Sequence, residues 1–296
     1  MAWKAFKVVL RLCTPLHSGW RKVGNLQMTR PYVTGRMLWG ALTLRLTRTA
    51  AGSQPATDSK VYQEIGKLVH ETLAFTYFYP ALRKGSDFRV FWPWEDEGGF
   101  RRRFLGSYAS TALTPSANSA ADGTLHEVEF LSPRTMDTGE PVYLLGYFFE
   151  ESGCSLNWRE ALSAIQLGGE RGYGWGLVEL EGELTEVKDC QLFDDGVIFK
   201  GGNARPLISV PGNGVLLAHT LATSDLQVVG EVEPLVGREW GNAPGDRISR
   251  ATICFVPGSQ IWRKTIFEIG NYGLWEMKAN EGLKHERSDA STTFRG

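Results

Sequence analysis

Between residues 5 and 12 the apolar Phe6, Val8 and Leu10 alternate with Lys7 and Arg11, the period-two pattern of a strand with one wet face, while Val9 and Leu12 fall out of phase. A stretch rich in Pro and Gly follows over residues 14–35 and reads as a loop. The period then changes, because Leu38, Leu42 and Leu46 recur at a four-residue spacing with Arg45 and Arg48 near the end, where cations suit a helix dipole. This spacing predicts a helix over residues 36–48. Thr34 is its expected N-cap, which leaves the first backbone N–H groups aimed at the preceding loop. A small polar linker over residues 50–57 leads to a second helix around residues 60–73. Residues 75–94 are aromatic and strand-like, but Pro80 and Gly85 interrupt them. Residues 95–123 open acidic, turn basic at Arg101, Arg102 and Arg103 and end in small polar side chains, which predicts an inserted mobile loop. Residues 125–131 and 142–149 read as the two strands of a hairpin, and residues 158–165 as a short helix. After Gly176 strand patterns dominate, at residues 177–187, Val197–Phe199, 215–218, 226–232 and 253–255, separated by turn residues such as Pro211, Gly212, Asn213 and Gly214. From Asn280 onward little apolar content remains and a flexible tail is expected.

Composition narrows the class without fixing it. The chain has 296 residues, of which 42% are hydrophobic, as in an ordinary packed globule, so disorder is not the default. Its 34 glycines imply many positions of special backbone geometry. Lys and Arg total 32 against 33 Asp and Glu. With a formal charge of −1 there is no global attraction to nucleic acid, and any such contact must come from local patches. Cys13, Cys154, Cys190 and Cys254 lie far apart without metal-ligand spacing, and are expected to be buried, reduced thiols in a cytoplasmic protein. No apolar run reaches membrane-spanning length, and the first ten residues have no signal-peptide core, so no membrane partner is expected.

The sharpest local signal is Gly168-Gly169-Glu170-Arg171-Gly172-Tyr173-Gly174-Trp175-Gly176, between the short helix and a strand. Glycine permits close backbone approach, Arg171 offers a charge for phosphate, and Tyr173 and Trp175 offer rings for stacking. A tight packing turn is the alternative. It is not a P-loop, since no Gly-Lys-Ser/Thr follows, nor a dinucleotide fingerprint, since the glycines end a helix and enter a strand. Arg21, Lys22 and Arg30 sit in the early loop, and from His17 to Arg36 there is no Asp or Glu at all. Arg101, Arg102 and Arg103 could hold an RNA backbone or meet an acidic subunit face, or could be a solvated run balancing residues 95–97. Arg238, Arg247 and Arg250 are further candidates among C-terminal glycines. His17 is the one early histidine, and a turn histidine is more often a hydrogen-bonded strut than a base.

The glycine-rich loop resembles that of the CRISPR-associated RAMP superfamily. Three further stretches agree in order: Thr14-Pro15-Leu16-His17-Ser18-Gly19; Pro31-Tyr32-Val33-Thr34-Gly35-Arg36; and Leu125-His126-Glu127-Val128-Glu129-Phe130-Leu131. Pro257, Gly258 and Ser259 are similar to the C-terminal element of the subunits that cap the 5′ handle of crRNA in type III-like complexes. The resemblance implies an α+β protein of two ferredoxin-like modules, residues 1–187 with the insertion 95–123 and a β-rich, degenerate module at 188–279, with a tail at 280–296. It implies a non-catalytic crRNA-binding subunit without cofactor or metal. Arg21, Lys22, Arg30, Arg36, Gly168, Gly169, Arg171, Gly172, Tyr173, Gly174 and Trp175 would form the grip, joined by Arg101, Arg102, Arg103, Pro257, Gly258 and Ser259. Its partners would be crRNA, the backbone and large effector subunits and, indirectly, target nucleic acid. Two alternatives remain: a filament subunit coating the spacer, and a metal-independent endoribonuclease using His17, with Lys22 or Tyr32 as helpers.

Overall fold

The computed structural model describes residues 2–278, except 53–58, 115, 117–118, 164, 195, 203 and 241–244. The expected tail at 280–296 and most of the linker lie outside these residues. In chain order the elements are β1 (Trp3–Leu12), β2 (Gly19–Val23), β3 (Leu26–Thr29), α1 (Gly35–Ala50), α2 (Ser59–Thr72), β4 (Leu73–Phe75), β5 (Tyr79–Lys84), β6 (Asp87–Val90), α3 (Glu97–Phe104) and β7 (Leu105–Ser110). There follow β8 (Leu113–Thr114), β9 (Ser119–Ala120), β10 (His126–Leu131), β11 (Tyr143–Glu151), α4 (Trp158–Leu162), β12 (Val178–Leu180), β13 (Thr185–Glu186), β14 (Gln191–Leu192), β15 (Val197–Phe199) and β16 (Leu207–Val210). The chain closes with β17 (Thr220–Leu221), β18 (Val228–Val229), β19 (Val232–Glu239), β20 (Arg247–Phe255), β21 (Gln260–Ile261), β22 (Thr265–Ile269) and β23 (Trp275–Met277). The architecture is α+β with sheet predominant.

A central antiparallel sheet runs in the order β12-β1-β11-β5-β6, with β13 added to β1 and β4 to β11. Its strands feed two cores. From β1, Phe6, Val8, Leu10 and Leu12 join a core with Leu38, Leu42 and Leu46 of α1, Val69 of α2 and Trp158 of α4. Trp3, Ala5 and Val9 point the other way, into a core with Val197, Ile208, Phe267 and Trp275 of the C-terminal sheet. Both faces are therefore covered, which explains the apolar residues that break the alternation in β1. Full burial of each Leu or Phe stabilises by about 1.5–3 kcal/mol, so the two-sided cover makes this sheet the rigid base for everything that follows.

The C-terminal sheet has the order β14-β15-β16-β22-β23-β17-β20-β19. Among the described residues after 187 there is no α-helix, so the helix layer of a second ferredoxin-like module has no counterpart there. A smaller sheet, β2-β3-β10-β7, holds three elements that the hydrophobic pattern misplaces. The basic segment expected to be a loop is the β2–β3 hairpin. Residues 97–110 are helix and strand, not a mobile excursion, because Asp96 caps α3 by accepting from the Gly99 N–H at 2.9 Å and Phe100 and Phe104 bury one face. The expected 125–149 hairpin does not form: β10 pairs with β3 and β7, whereas β11 pairs with β1 in the central sheet. Of the cysteines only Cys254 is buried; Cys13 and Cys154 are partly exposed and Cys190 is exposed, all as free thiols. No described helix is long and apolar enough to cross a membrane.

Candidate nucleic-acid interface

The turn leaving β1 and the glycine-rich loop are clasped together. Gly169 N–H donates to the His17 carbonyl at 2.9 Å, Gly176 N–H to the Pro15 carbonyl at 2.7 Å, and Leu177 N–H to the Thr14 hydroxyl at 2.9 Å. On its other side the turn exchanges bonds with Leu131 of β10. The loop has two kinds of glycine. Gly168 and Gly176 take the left-handed conformation with φ of +76° and +80° and press on backbone, whereas a Cβ on Gly172 or Gly174 would meet nothing within 4 Å. The base of the loop is thus fixed and its tip open. Gln166 spans the tip, donating to the carbonyls of Arg171 and Trp175. The N–H groups of Tyr173, Gly174 and Trp175 also donate within the loop. Those amides shape the loop; what it presents outward is the Arg171 and Tyr173 side chains, Tyr173 being 84% exposed.

Beside the loop an open groove of about 710 Å³ passes over α1 toward the end of the β19–β20 ribbon. One stripe of α1, Arg36, Gly40, Leu44 and Arg48, lines it at the spacing that places every fourth residue on one helix face. Gly168, Gly169 and Arg171 form one wall, and Arg238 and Glu239 the other. Among the described residues Arg48, Arg171 and Arg238 form no ion pair. Arg36 is more constrained, since it donates to the Arg238 carbonyl at 2.6 Å, lies 3.7 Å from Glu239 and rests on the Tyr272 ring. The excess of guanidinium over carboxylate suits a polyanion that also needs width, such as a sugar–phosphate chain. The start of α1 offers less than its sequence implied: Thr34 does cap it, but a Cβ on Gly35 would lie 2.4 Å from the Tyr272 carbonyl, so that end is packed against backbone.

Trp39 lines the same groove and stacks on His70, with ring centroids 4.9 Å apart. Burial, with Arg205 nearby, pushes His70 down to about 4. The unfolded chain binds this proton first, so the associated stability is complete above pH 6.5 and is lost as pH falls toward 4. Urea denaturation should show about 2 kcal/mol lost from this group between pH 7 and pH 5. His70→Phe should remove that part of the pH dependence; an unchanged slope would contradict it.

Several predicted contacts lie elsewhere. Arg30 is buried, with its guanidinium 2.6 Å from Glu233 of β19, so it cannot meet phosphate. Glu233 also accepts from Trp20 at 2.9 Å and from His219, whose other ring nitrogen takes the Tyr77 hydroxyl at 2.7 Å. Burial opposes ionisation of Glu233, but the bonds from His219, Arg30 and Trp20 hold its carboxyl at about 2. This network ties the β2–β3 region to the C-terminal sheet. Arg21 lies over the Trp20 ring and, with Pro257 and Arg101, lines a separate cleft; Lys22 is exposed on β2. Arg101, Arg102 and Arg103 are on α3, not on a loop. Arg101 pairs with the buried Glu129 and Arg103 with Asp137 and Glu140, rather than with residues 95–97, and Arg102 is exposed. Gly258, with φ of +98°, packs on Trp94 and Ser259 is buried, so the Pro-Gly-Ser element is a structural corner. Trp175 is half-buried against Phe130 and Tyr108. His17 is also buried; its Nδ1 lies 2.7 Å from the Glu129 carbonyl and donates to it.

Fold and site together define an α+β protein with an open basic groove beside a fixed glycine-rich loop. In a comparison with solved structures the chain is similar to one in the cryo-EM structure of the Type III-B Cmr-beta bound to cognate target RNA and AMPPnP, with TM-score 0.51, 11% identity, and coverage of 86% of this chain and 85% of that one. A second, from Type III-B Cmr-beta bound to cognate target RNA, has TM-score 0.49, 11% identity and 86% coverage of each chain. At this identity the first likeness is one of fold. No protein-family model and no curated protein sequence matches the chain.

Proposed function

We propose that this chain is a non-catalytic subunit of a type III-like CRISPR effector complex, holding the repeat-derived 5′ handle of crRNA and capping the backbone filament. The observation that carries this reading is the groove that Arg48, Arg171 and Arg238 line together with Gly168 and Gly169 of the glycine-rich loop. The first structural neighbour is part of a complex bound to target RNA, which supports the same class of assembly. Within the first module, set between residues 1 and 187, the order β1, α1, β5, β11, α4, β12 makes an antiparallel sheet with strands arranged fourth, first, third, second. That order supports a ferredoxin-like assignment. Other effector subunits are then the protein partners.

Cleavage is the rival chemistry. His17 is held as a strut, with its ring packed beside Gly169 and Gly19, and contact of its Nδ1 with a carbonyl spends one nitrogen on structure. Cognate repeat RNA incubated with the purified chain should remain intact on a denaturing gel. Cleavage that disappears in His17→Ala would make the chain an endoribonuclease.

A further inference from the structure

The glycine-rich loop has a second side. Opposite residues in paired strands share a face, and the register across the small sheet aligns Lys22, Gln27, Val128 and Tyr108 in one row. Phe130 and Gly106 form the next row, and His126 and Ser110 the row on the other side, where Ser110 Oγ is 2.9 Å from the His126 Nε2. These rows contain no acidic residue. Trp175 reaches over them from the loop, its ring nearly perpendicular to Phe130 at 5.1 Å and to Tyr108 at 6.4 Å. A Cβ on Gly106 would lie 2.8 Å from the Phe130 ring, so the absent side chain lets that ring lie flat across β7. Tyr108 nevertheless remains 60% exposed. An aromatic cluster serving only to anchor the loop would bury its outermost ring.

We infer that this outer sheet face, with Trp175 across it, is a stacking platform for an unpaired base of single-stranded RNA, Tyr108 supplying the ring and Lys22 the charge for a nearby phosphate. Three features favour a nucleotide over a protein surface. The ring is presented on a rigid strand, Lys22 lies on the face in rows that hold no carboxylate, and the loop tip at Gly172 and Gly174 is bare enough for a backbone to pass. Three strand spacings separate Lys22 from Tyr108, about 14 Å, so one base can stack while a neighbouring phosphate meets the lysine. The inference relies on the RNA-binding reading for its ligand class, and adds a contact on the side of the loop away from the groove.

The test uses the full chain, a labelled single-stranded RNA and the duplex of the same sequence. Tyr108→Ala should weaken single-strand binding at least five-fold, consistent with the loss of one base stack, without changing its salt dependence. Tyr108→Phe, which keeps the ring, should retain most of the affinity, and duplex binding should not respond to either. An RNA carrying 5-iodouridine should crosslink to Tyr108 or Trp175. Wild-type affinity in Tyr108→Ala, or equal losses in the Ala and Phe variants, would overturn the platform. If Arg48→Glu with Arg171→Glu weakens binding and Tyr108→Ala does not, the groove stands and the platform falls; the reverse result removes the groove and keeps the platform.

Discussion

Gly176→Ala should cost at least about 3 kcal/mol and undock the glycine-rich loop, because a left-handed conformation costs an L-residue about 1–2 kcal/mol before any clash is counted. At φ +80° the added Cβ would lie 1.8 Å from the Leu167 carbonyl oxygen, inside any tolerable contact, and the groups pressed together are backbone that cannot rotate away. The bond from Gly176 N–H to Pro15 would be lost with it. Gly168→Ala should behave likewise, with its Cβ 2.3 Å from the His17 carbonyl. Gly172→Ala is the matched comparison, since it has open space around it and should stay within about 0.5 kcal/mol of the parent. Chemical denaturation of the three variants measures this directly. Equal stabilities would mean that the loop is not clasped as described.

The second large effect is on binding. Arg48→Glu combined with Arg171→Glu should weaken crRNA binding about 100-fold near 0.15 M salt and make the salt dependence shallower by roughly two counterions, one for each phosphate contact removed. Neither side chain pairs with a carboxylate among the described residues, so reversal frees no buried partner. Arg89→Glu, at an exposed position of β6, changes net charge as much as either single reversal and should alter affinity little. If all three charges mattered alike, binding would be a diffuse field effect rather than a grip. Anisotropy titrations over a range of salt separate the two.

What could be read from the sequence was local. Helix α1 followed from Leu38, Leu42 and Leu46 and the Thr34 cap, and β1 from its alternation, because those signals are carried within one element. Its two-faced burial could not be read, since the second cover comes from strands beyond residue 190. Strands β10 and β11 look like a hairpin by spacing, yet tertiary pairing sends them to different sheets. The site divides in the same way. Arg171 and its glycines were visible as a cluster, whereas Arg30 looked unneutralised only because its partner, Glu233, is 203 residues away. Arg48 reads in the sequence as a cation suited to the helix dipole, although Arg36, Gly40, Leu44 and Arg48 form a stripe opposite the apolar one. Tyr108 had no sequence signal, for its importance depends on Trp175 crossing from another loop.

The central claim is that the groove beside the glycine-rich loop grips the 5′ handle. The most direct test compares the affinity of the full chain for handle-bearing crRNA and for spacer RNA of equal length, in the parent and in the Arg48→Glu, Arg171→Glu double variant. The account predicts a preference for the handle-bearing RNA that the double variant abolishes. Equal affinity for both RNAs in the parent, or a handle preference that survives both substitutions, would contradict it.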